Sequence, residues 1–222
     1  MFSRLELLIG DNLNKLKSAK VILFGVGGVG GYVAEMLVRS GVENITIVDY
    51  DVVDVSNKNR QIIALDSTIG KTKVDVMKQR IIDINNNCNV LAINSKLTKD
   101  NIAEFNLADY DYIVDAIDMV TSKLALIVFA KNNNIPIVSA MGAGNRFGIP
   151  QIAIDDIYNT SNDGLAKVLR HELRKLGVTS HNVVYTKNKS NPCGKTIGSI
   201  AYFPAMVGCM LASFVIQKLI ER

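Results

Sequence analysis

Residues 20–61 read KVILFGVGGVGGYVAEMLVRSGVENITIVDYDVVDVSNKNRQ. The run Val21–Phe24 is apolar and of strand length, and Gly25, Gly27, Gly28 and Gly30 follow it. Helical spacing then appears at Val33, Leu37 and Val38. A second apolar run, Ile45–Val48, ends at Asp49, nineteen residues after Gly30. The order is strand, glycine-rich turn, helix, strand, acid, the pattern of a nucleotide-binding unit. Glycines let the backbone turn tightly and come close to a phosphate. The free N–H groups at the helix start, with the helix dipole, attract an anion. The carboxylate that ends the second strand can accept hydrogen bonds from both hydroxyls of a ribose. To this point the pattern specifies an adenine nucleotide. NAD and ATP both fit, and a tight turn packing a helix on a sheet would use the same glycines.

The residues after Asp49 separate the two nucleotides. Residues 49–61 read DYDVVDVSNKNRQ, Lys73 lies twelve residues past Gln61, and a later strand-like run ends in DAID at 115–118. A dehydrogenase has no use for an Asn-x-Asn-Arg-Gln cluster beside its ribose acid, whereas a triphosphate does. Arg60 can fork onto phosphate oxygens, and Lys73 supplies a second, point-like cation. Asn57, Asn59 and Gln61 can orient phosphates or their waters. Asp118 can hold a magnesium ion that bridges those phosphates. Asp115, Ala116 and Asp118 fall at the C-terminal end of their strand, the edge where an open parallel sheet binds ligands. Asp51 joins Asp49 in the expected nucleotide-binding set.

The motifs GVGGVG, DYDVV, SNKNRQ, the later lysine and DAID resemble the ubiquitin-activating-enzyme-like (ThiF/MoeB/HesA) adenylating superfamily. Other stretches are similar to one branch, the tRNA threonylcarbamoyladenosine dehydratases. They are SRLELLIGDNLNKLKSAKV, the run from Asp115 to Ile152, RHELRKLGV and GSIAYFPAMVGCMLASFVIQKLI. The resemblance implies ATP with magnesium, a homodimer, and Arg4 reaching a nucleotide site, often the partner subunit's. It also implies the acceptor. The carboxylate would be the threonyl group of threonylcarbamoyladenosine in tRNA. After activation, the carbamoyl group of the same nucleoside closes onto the carbonyl and expels AMP. The chain is short for that branch, and a membrane-anchoring C-terminal extension is not expected.

Composition sets the remaining bounds. The 222 residues are 48% hydrophobic, enough for a sizeable core and for one domain over 1–222. No run of eighteen apolar residues is uninterrupted, so a spanning helix is not expected. The opening MFSRLELLIGDN has early acids and no small-residue cleavage site, so a secretory leader is not expected either. Cys88, Cys193 and Cys209 are odd in number and widely spaced, which points to a reducing cytoplasm. There is no C-x-x-C pair. Two such pairs hold the structural zinc typical of the sulfur-carrier activators, so that branch is disfavoured. Cys193 in NPCGK sits near Lys195 and could form a thioester; an exposed cysteine with no role is the preferred reading, and it is left out of the catalytic set. Net charge is only +4, yet residues 167–195 carry seven Lys or Arg against one acid, Glu172. That is a footprint for tRNA or a solvated face.

Along the chain the periodicity predicts one or two short helices over 2–17 and a loop with short turns over 50–69, Ser56 being a helix cap. It then predicts a helix over 70–85, a strand over 90–93 and a helix over 98–106 capped by Thr98. A strand over 111–116, a helix over 120–133 and a strand over 136–140 come next. Residues 141–150 read as a glycine-rich loop that shapes a substrate pocket. Strands at 151–154, 183–186 and 197–203 and helices at 163–176 and 204–222 complete the chain. Alternation of strand and helix specifies a doubly wound, Rossmann-like α/β fold. Its sheet is mostly parallel with helices on both faces, and its antiparallel strands fall in the C-terminal part.

The reaction expected is ligase-type carboxylate activation, in which the acceptor attacks the α-phosphorus of ATP. Arg4, Arg60, Lys73 and a magnesium ion on Asp118 offset the developing charge. Three other readings stay open: an activator of a Gly-Gly-ended sulfur-carrier protein, an ATP-binding sensor without turnover, and an NAD oxidoreductase.

Overall fold

The computed structural model describes residues 1–192, 194 and 196–222. Cys193 and Lys195 lie outside the described residues.

The chain opens with two short helices, α1 (Ser3–Ile9) and α2 (Asn12–Ser18), then β1 (Lys20–Phe24), α3 (Gly30–Arg39) and β2 (Asn44–Asp49). α4 (Lys73–Ile84), β3 (Asn89–Asn94), β4 (Tyr112–Asp115), α5 (Val120–Asn132) and β5 (Ile137–Ala140) come after it. The chain closes with β6 (Ile152–Asp156), α6 (Gly164–Lys175), β7 (Asn182–Thr186) and α7 (Tyr202–Ile220), with a 3-10 turn at Ile157–Asn159 after β6. The strands form one seven-stranded sheet in the order β3-β2-β1-β4-β5-β7-β6. Every neighbour pair is parallel except β6 and β7. The fold is the doubly wound, mostly parallel one that the sequence specifies.

The sheet is apolar on both sides because side chains alternate along each strand. Val21 and Leu23 of β1 join Ile45 and Ile47 of β2 in one core, under α3, α4 and α7. Ile22 and Phe24 join Val48 and Ile113 in the other, under α5 and α6. α7 is long and apolar enough to cross a membrane by length and composition, with a mean hydropathy of 1.7. In this fold it is a core helix: Phe203, Val207, Leu211, Val215 and Leu219 are buried. It packs against α3 and the sheet.

Four local expectations are corrected. Residues 197–201 are not a strand; Gly198 instead exchanges two hydrogen bonds with Asn145 in the facing loop, each 2.7 Å. Tyr202 already begins α7, and Pro204 is tolerated there because the first turn needs no donor at that position. The helix expected over 98–106 shrinks to a 3-10 turn at Ile102–Phe105. Asn101 bonds back to Thr98 and to the carbonyl of Lys96, and Asn106 leaves the helical region at φ 45°. α4 starts at Lys73 rather than Gly70, whose φ of 82° no helix accepts. Asp54, not Ser56, caps the turn at 55–57, accepting from the Ser56 N–H at 2.8 Å.

Candidate active site

A pocket of about 560 Å3 opens at the C-terminal edge of the sheet. In an open parallel sheet this edge, beside the β1–β4 switch point, is where ligands bind. Gly25, Gly27 and Gly28 form one wall. The turn exists because of two positions. Gly25 has φ 89°, and a Cβ on it would stand 2.7 Å from the Ala116 carbonyl oxygen. A Cβ on Gly30 would stand 1.8 Å from the Gly25 oxygen. Gly30 therefore does not face the pocket; it lets the turn close under it.

Asp49 locks the same turn. Its Oδ2 accepts from the Val26 N–H at 2.6 Å and its Oδ1 from the Asp51 N–H at 2.9 Å. Each carboxylate oxygen keeps a second lone pair for a ribose hydroxyl. Lys73, 5% exposed, opens α4, and its Nζ lies 2.7 Å from Asp51 Oδ2. Arg60 lines the pocket while Nη1 donates to the Ser56 carbonyl and to Asn59 Oδ1, both at 2.8 Å. Asp118 lines the pocket exposed, with no donor bonded to its carboxylate among the described residues. The pocket thus brings together Gly25, Gly27, Gly28, Asp49, Asp51, Arg60, Lys73, Ala116 and Asp118.

Besides Gly30, five expected residues are elsewhere. Asp115 is a correction: it is fully buried, and its carboxylate is consumed by Lys123 Nζ at 2.7 Å, Ser139 Oγ at 2.6 Å and the Ile117 N–H at 3.1 Å. It shapes the turn that carries Asp118 instead of facing a ligand. Asn57 does not line the pocket; its Oδ1 accepts from the Asp54 N–H, closing a capping box. Asn59 ties Arg60 to the Ser199 carbonyl through Nδ2 at 3.0 Å. Gln61 is 7% exposed with Oε1 unpartnered, and its Nε2 sits 3.9 Å from where a Gly27 Cβ would be. These three brace the walls. Arg4, on α1, does not line this chain's pocket.

The sequence reading missed Lys96 and Tyr50, which close the mouth with Lys96 Nζ 5.4 Å from the Tyr50 ring centroid. Partial burial, then the carboxylates of Asp51, Asp118 and Asp49, raise the Tyr50 phenol above its ordinary value. Lys96 was findable: it comes just after β3, and each residue just past a parallel strand lies on the ligand edge. At the far end Gly142, Ala143, Gly144 and Ile197 line the same pocket.

An open carboxylate on Asp118 suits magnesium, which binds through one or two carboxylates, substrate phosphates and water. No group of three metal-ligating side chains occurs among the described residues, so an ion here would take its other ligands from the nucleotide.

The ThiF family model matches residues 3–222. The chain belongs to the ThiF family. Within it, the tRNA threonylcarbamoyladenosine dehydratase of Bacillus subtilis is 38% identical over 240 residues, covering 99% of this chain and 94% of that protein. The solved structure of the E. coli tRNA N6-threonylcarbamoyladenosine dehydratase, TcdA, in complex with ATP superposes with a TM-score of 0.93 at 34% identity. It covers 99% of this chain and 93% of that one. The complex of the same protein with AMP also superposes at 0.93. A Haemophilus influenzae molybdopterin-synthase adenylyltransferase is 32% identical but spans only 58% of this chain and 53% of that protein. Identity over the whole length places the chain with the dehydratases.

Proposed function

We propose that this ThiF-family enzyme adenylates the threonyl carboxylate of threonylcarbamoyladenosine in tRNA and lets the nucleoside cyclise with net loss of water. The observation that carries the reading is the continuity of one pocket. It runs from the glycine turn and Asp49, past Arg60, Lys73 and Asp118, to the loop at Gly142–Gly144. In this reading the nucleotide lies along the glycine turn and the acceptor lies beside the loop.

Asp49 holds the ribose, and the Gly25–Gly30 turn carries the phosphates on its N–H groups. The acceptor carboxylate attacks the α-phosphorus, forming the acyl-adenylate and releasing pyrophosphate. Arg60 and Lys73 meet the charge that moves onto the leaving phosphates. For this, Lys73 exchanges its bond to Asp51 for one to a phosphate, and Arg60 turns from the Ser56 carbonyl. Magnesium, held by Asp118 and the phosphates, would add Lewis-acid charge neutralisation. The carbamoyl group then attacks the activated carbonyl, and AMP leaves. No covalent link to the protein is needed, because positioning and electrostatics do most of the work in such transfers.

Arg4 enters through a dimer in this reading. α1 buries none of its residues and exposes Leu7 at 88% and Leu8 at 80%. A second copy covering this helix would bring Arg4 to the partner's pocket; sedimentation tests it. Lys167, Arg174, Lys175, Lys187 and Lys189 of the basic 167–195 segment are exposed and available to the tRNA backbone. Arg170 is not, since its guanidinium bonds Thr160 and the Ile157 carbonyl. A cytoplasmic location goes with ATP and tRNA as substrates.

The test is mass analysis of nucleosides after incubation with ATP and tRNA bearing threonylcarbamoyladenosine. ATP-dependent loss of one water with pyrophosphate release supports the reading. Release only with a Gly-Gly-ended carrier protein moves the assignment to the sulfur-carrier branch, which family membership keeps in view. Tight ATP binding without turnover on either acceptor marks a sensor.

A further inference from the structure

We infer that Phe147 is a stacking platform for an unpaired RNA base beside the acceptor nucleoside. This rests on the tRNA reading above and adds the residue that would receive the chain around the modified base. Phe147 is 78% exposed, while Arg146 beside it is 6% exposed. The contrast is built into the loop. The Arg146 guanidinium donates to the carbonyls of Asn188 and Asn162 and lies 3.7 Å from Asp163 Oδ2. On the other side of the tip, Asn188 Nδ2 donates to the Ile149 carbonyl at 3.0 Å. Asn145, in the left-handed region at φ 55°, is held by Gly198 through backbone and side chain. The tip is clamped on both flanks, and the aromatic ring is held outward. A rigid aromatic with few rotatable bonds loses little entropy when a partner stacks on it.

The surroundings select the partner. The segment that clamps the tip is part of the basic stretch: Lys187 and Lys189, either side of Asn188, are exposed. An aromatic face next to cations is the combination that binds single-stranded nucleic acid, the ring taking a base and the cations the backbone. Gly144, three residues before Phe147, lines the pocket. An acceptor carboxylate carried on a base enters such a pocket only if that base leaves the stack. Its neighbour then lacks a stacking partner, and Phe147, on the same loop as the pocket-lining Gly144, can replace it.

The experiment compares wild-type with F147A, F147L and F147W in dehydration of the modified tRNA. F147A is expected to raise KM for tRNA about tenfold, leaving kcat and the KM for ATP unchanged. F147W restores the wild-type KM and F147L does not. An unchanged KM in F147A while wild-type turns over overturns the inference alone. Full rescue by F147L overturns it as well, since plain apolar contact would then suffice. A shift in the sedimentation of F147A without RNA overturns it in favour of a second copy of the chain on this tip. Wild-type protein that leaves the modified tRNA unchanged overturns the tRNA reading itself, and this inference with it.

Discussion

The two ends of the pocket are made in different ways. At the nucleotide end the ligand-facing surface is backbone: Gly25 and Gly30 fix its shape, and Asp49 ties it to the next strand through the Val26 N–H at 2.6 Å. At the acceptor end the loop at 142–149 is fixed by side chains from distant segments. Gly142 N–H donates to Asp163 Oδ2 at 2.9 Å, and Arg146 reaches Asn188 and Asn162. The first end takes its shape from one glycine motif and one strand-end acid, whereas the second is held by side-chain bonds that Arg146, Asp163 and Asn188 make between separate segments. An enzyme built so can keep its chemistry and change its acceptor by altering one end.

Substitutions at the two ends should therefore separate. The largest effect is expected at Arg60: Arg60→Ala should cut turnover about a hundredfold to a thousandfold with modest loss of ATP affinity. Pyrophosphate release against ATP titration measures it, and equal small losses would make Arg60 a simple binder. Next is Gly30→Ala. Its Cβ would meet the Gly25 oxygen at 1.8 Å, so backbone must move. About 3 kcal/mol of stability should go in urea unfolding, and ATP binding with it.

At the other end, Arg146→Met leaves Asp163 buried without its cation. Asp163 still accepts from the Gly142 and Ala166 N–H groups, so the cost should be about 2 kcal/mol, below that of a fully stranded charge. KM for the acceptor should rise and ATP binding by calorimetry should not. If ATP binding falls too, the two ends are one mechanical unit.

The effect that is smallest at neutral pH lies beneath both ends. His181 is fully buried, bonds Ser139 Oγ through Nε2 at 2.8 Å, and joins the Ser139–Asp115–Lys123 network. Burial, then Lys131 and Lys123 against the opposing Asp156, pushes its pKa from 6.5 down to about 3. Below pH 6.5 the unfolded chain takes up a proton that the folded one refuses, so stability is full above that pH and falls toward pH 3. The slope is at most about 1.4 kcal/mol per pH unit. The pH dependence of chemical unfolding should be flatter by that amount in His181→Gln than in wild-type.

Legibility in the sequence divides along the same line. The sheet, its helices and nine pocket-lining residues could be read in advance, because periodicity and glycine spacing act locally. Asp115 misled: an acid at a strand end has the same letter whether it faces a ligand or a buried lysine, and Lys123 gave no warning in an apolar helix. The stretch at 197–203 misled because its apolar residues suit a strand, while its partner is Asn145, 53 residues from Gly198. The clamp of Arg146, Asp163 and Asn188 has no local signature at all.

The most direct test labels the acceptor carboxylate of the modified tRNA with oxygen-18 and tracks the products by mass spectrometry. If the carboxylate attacks the α-phosphorus in this pocket, one labelled oxygen leaves in AMP, and pyrophosphate is unlabelled. Label in inorganic phosphate with ADP as co-product would mean attack at the γ-phosphorus and would contradict the account.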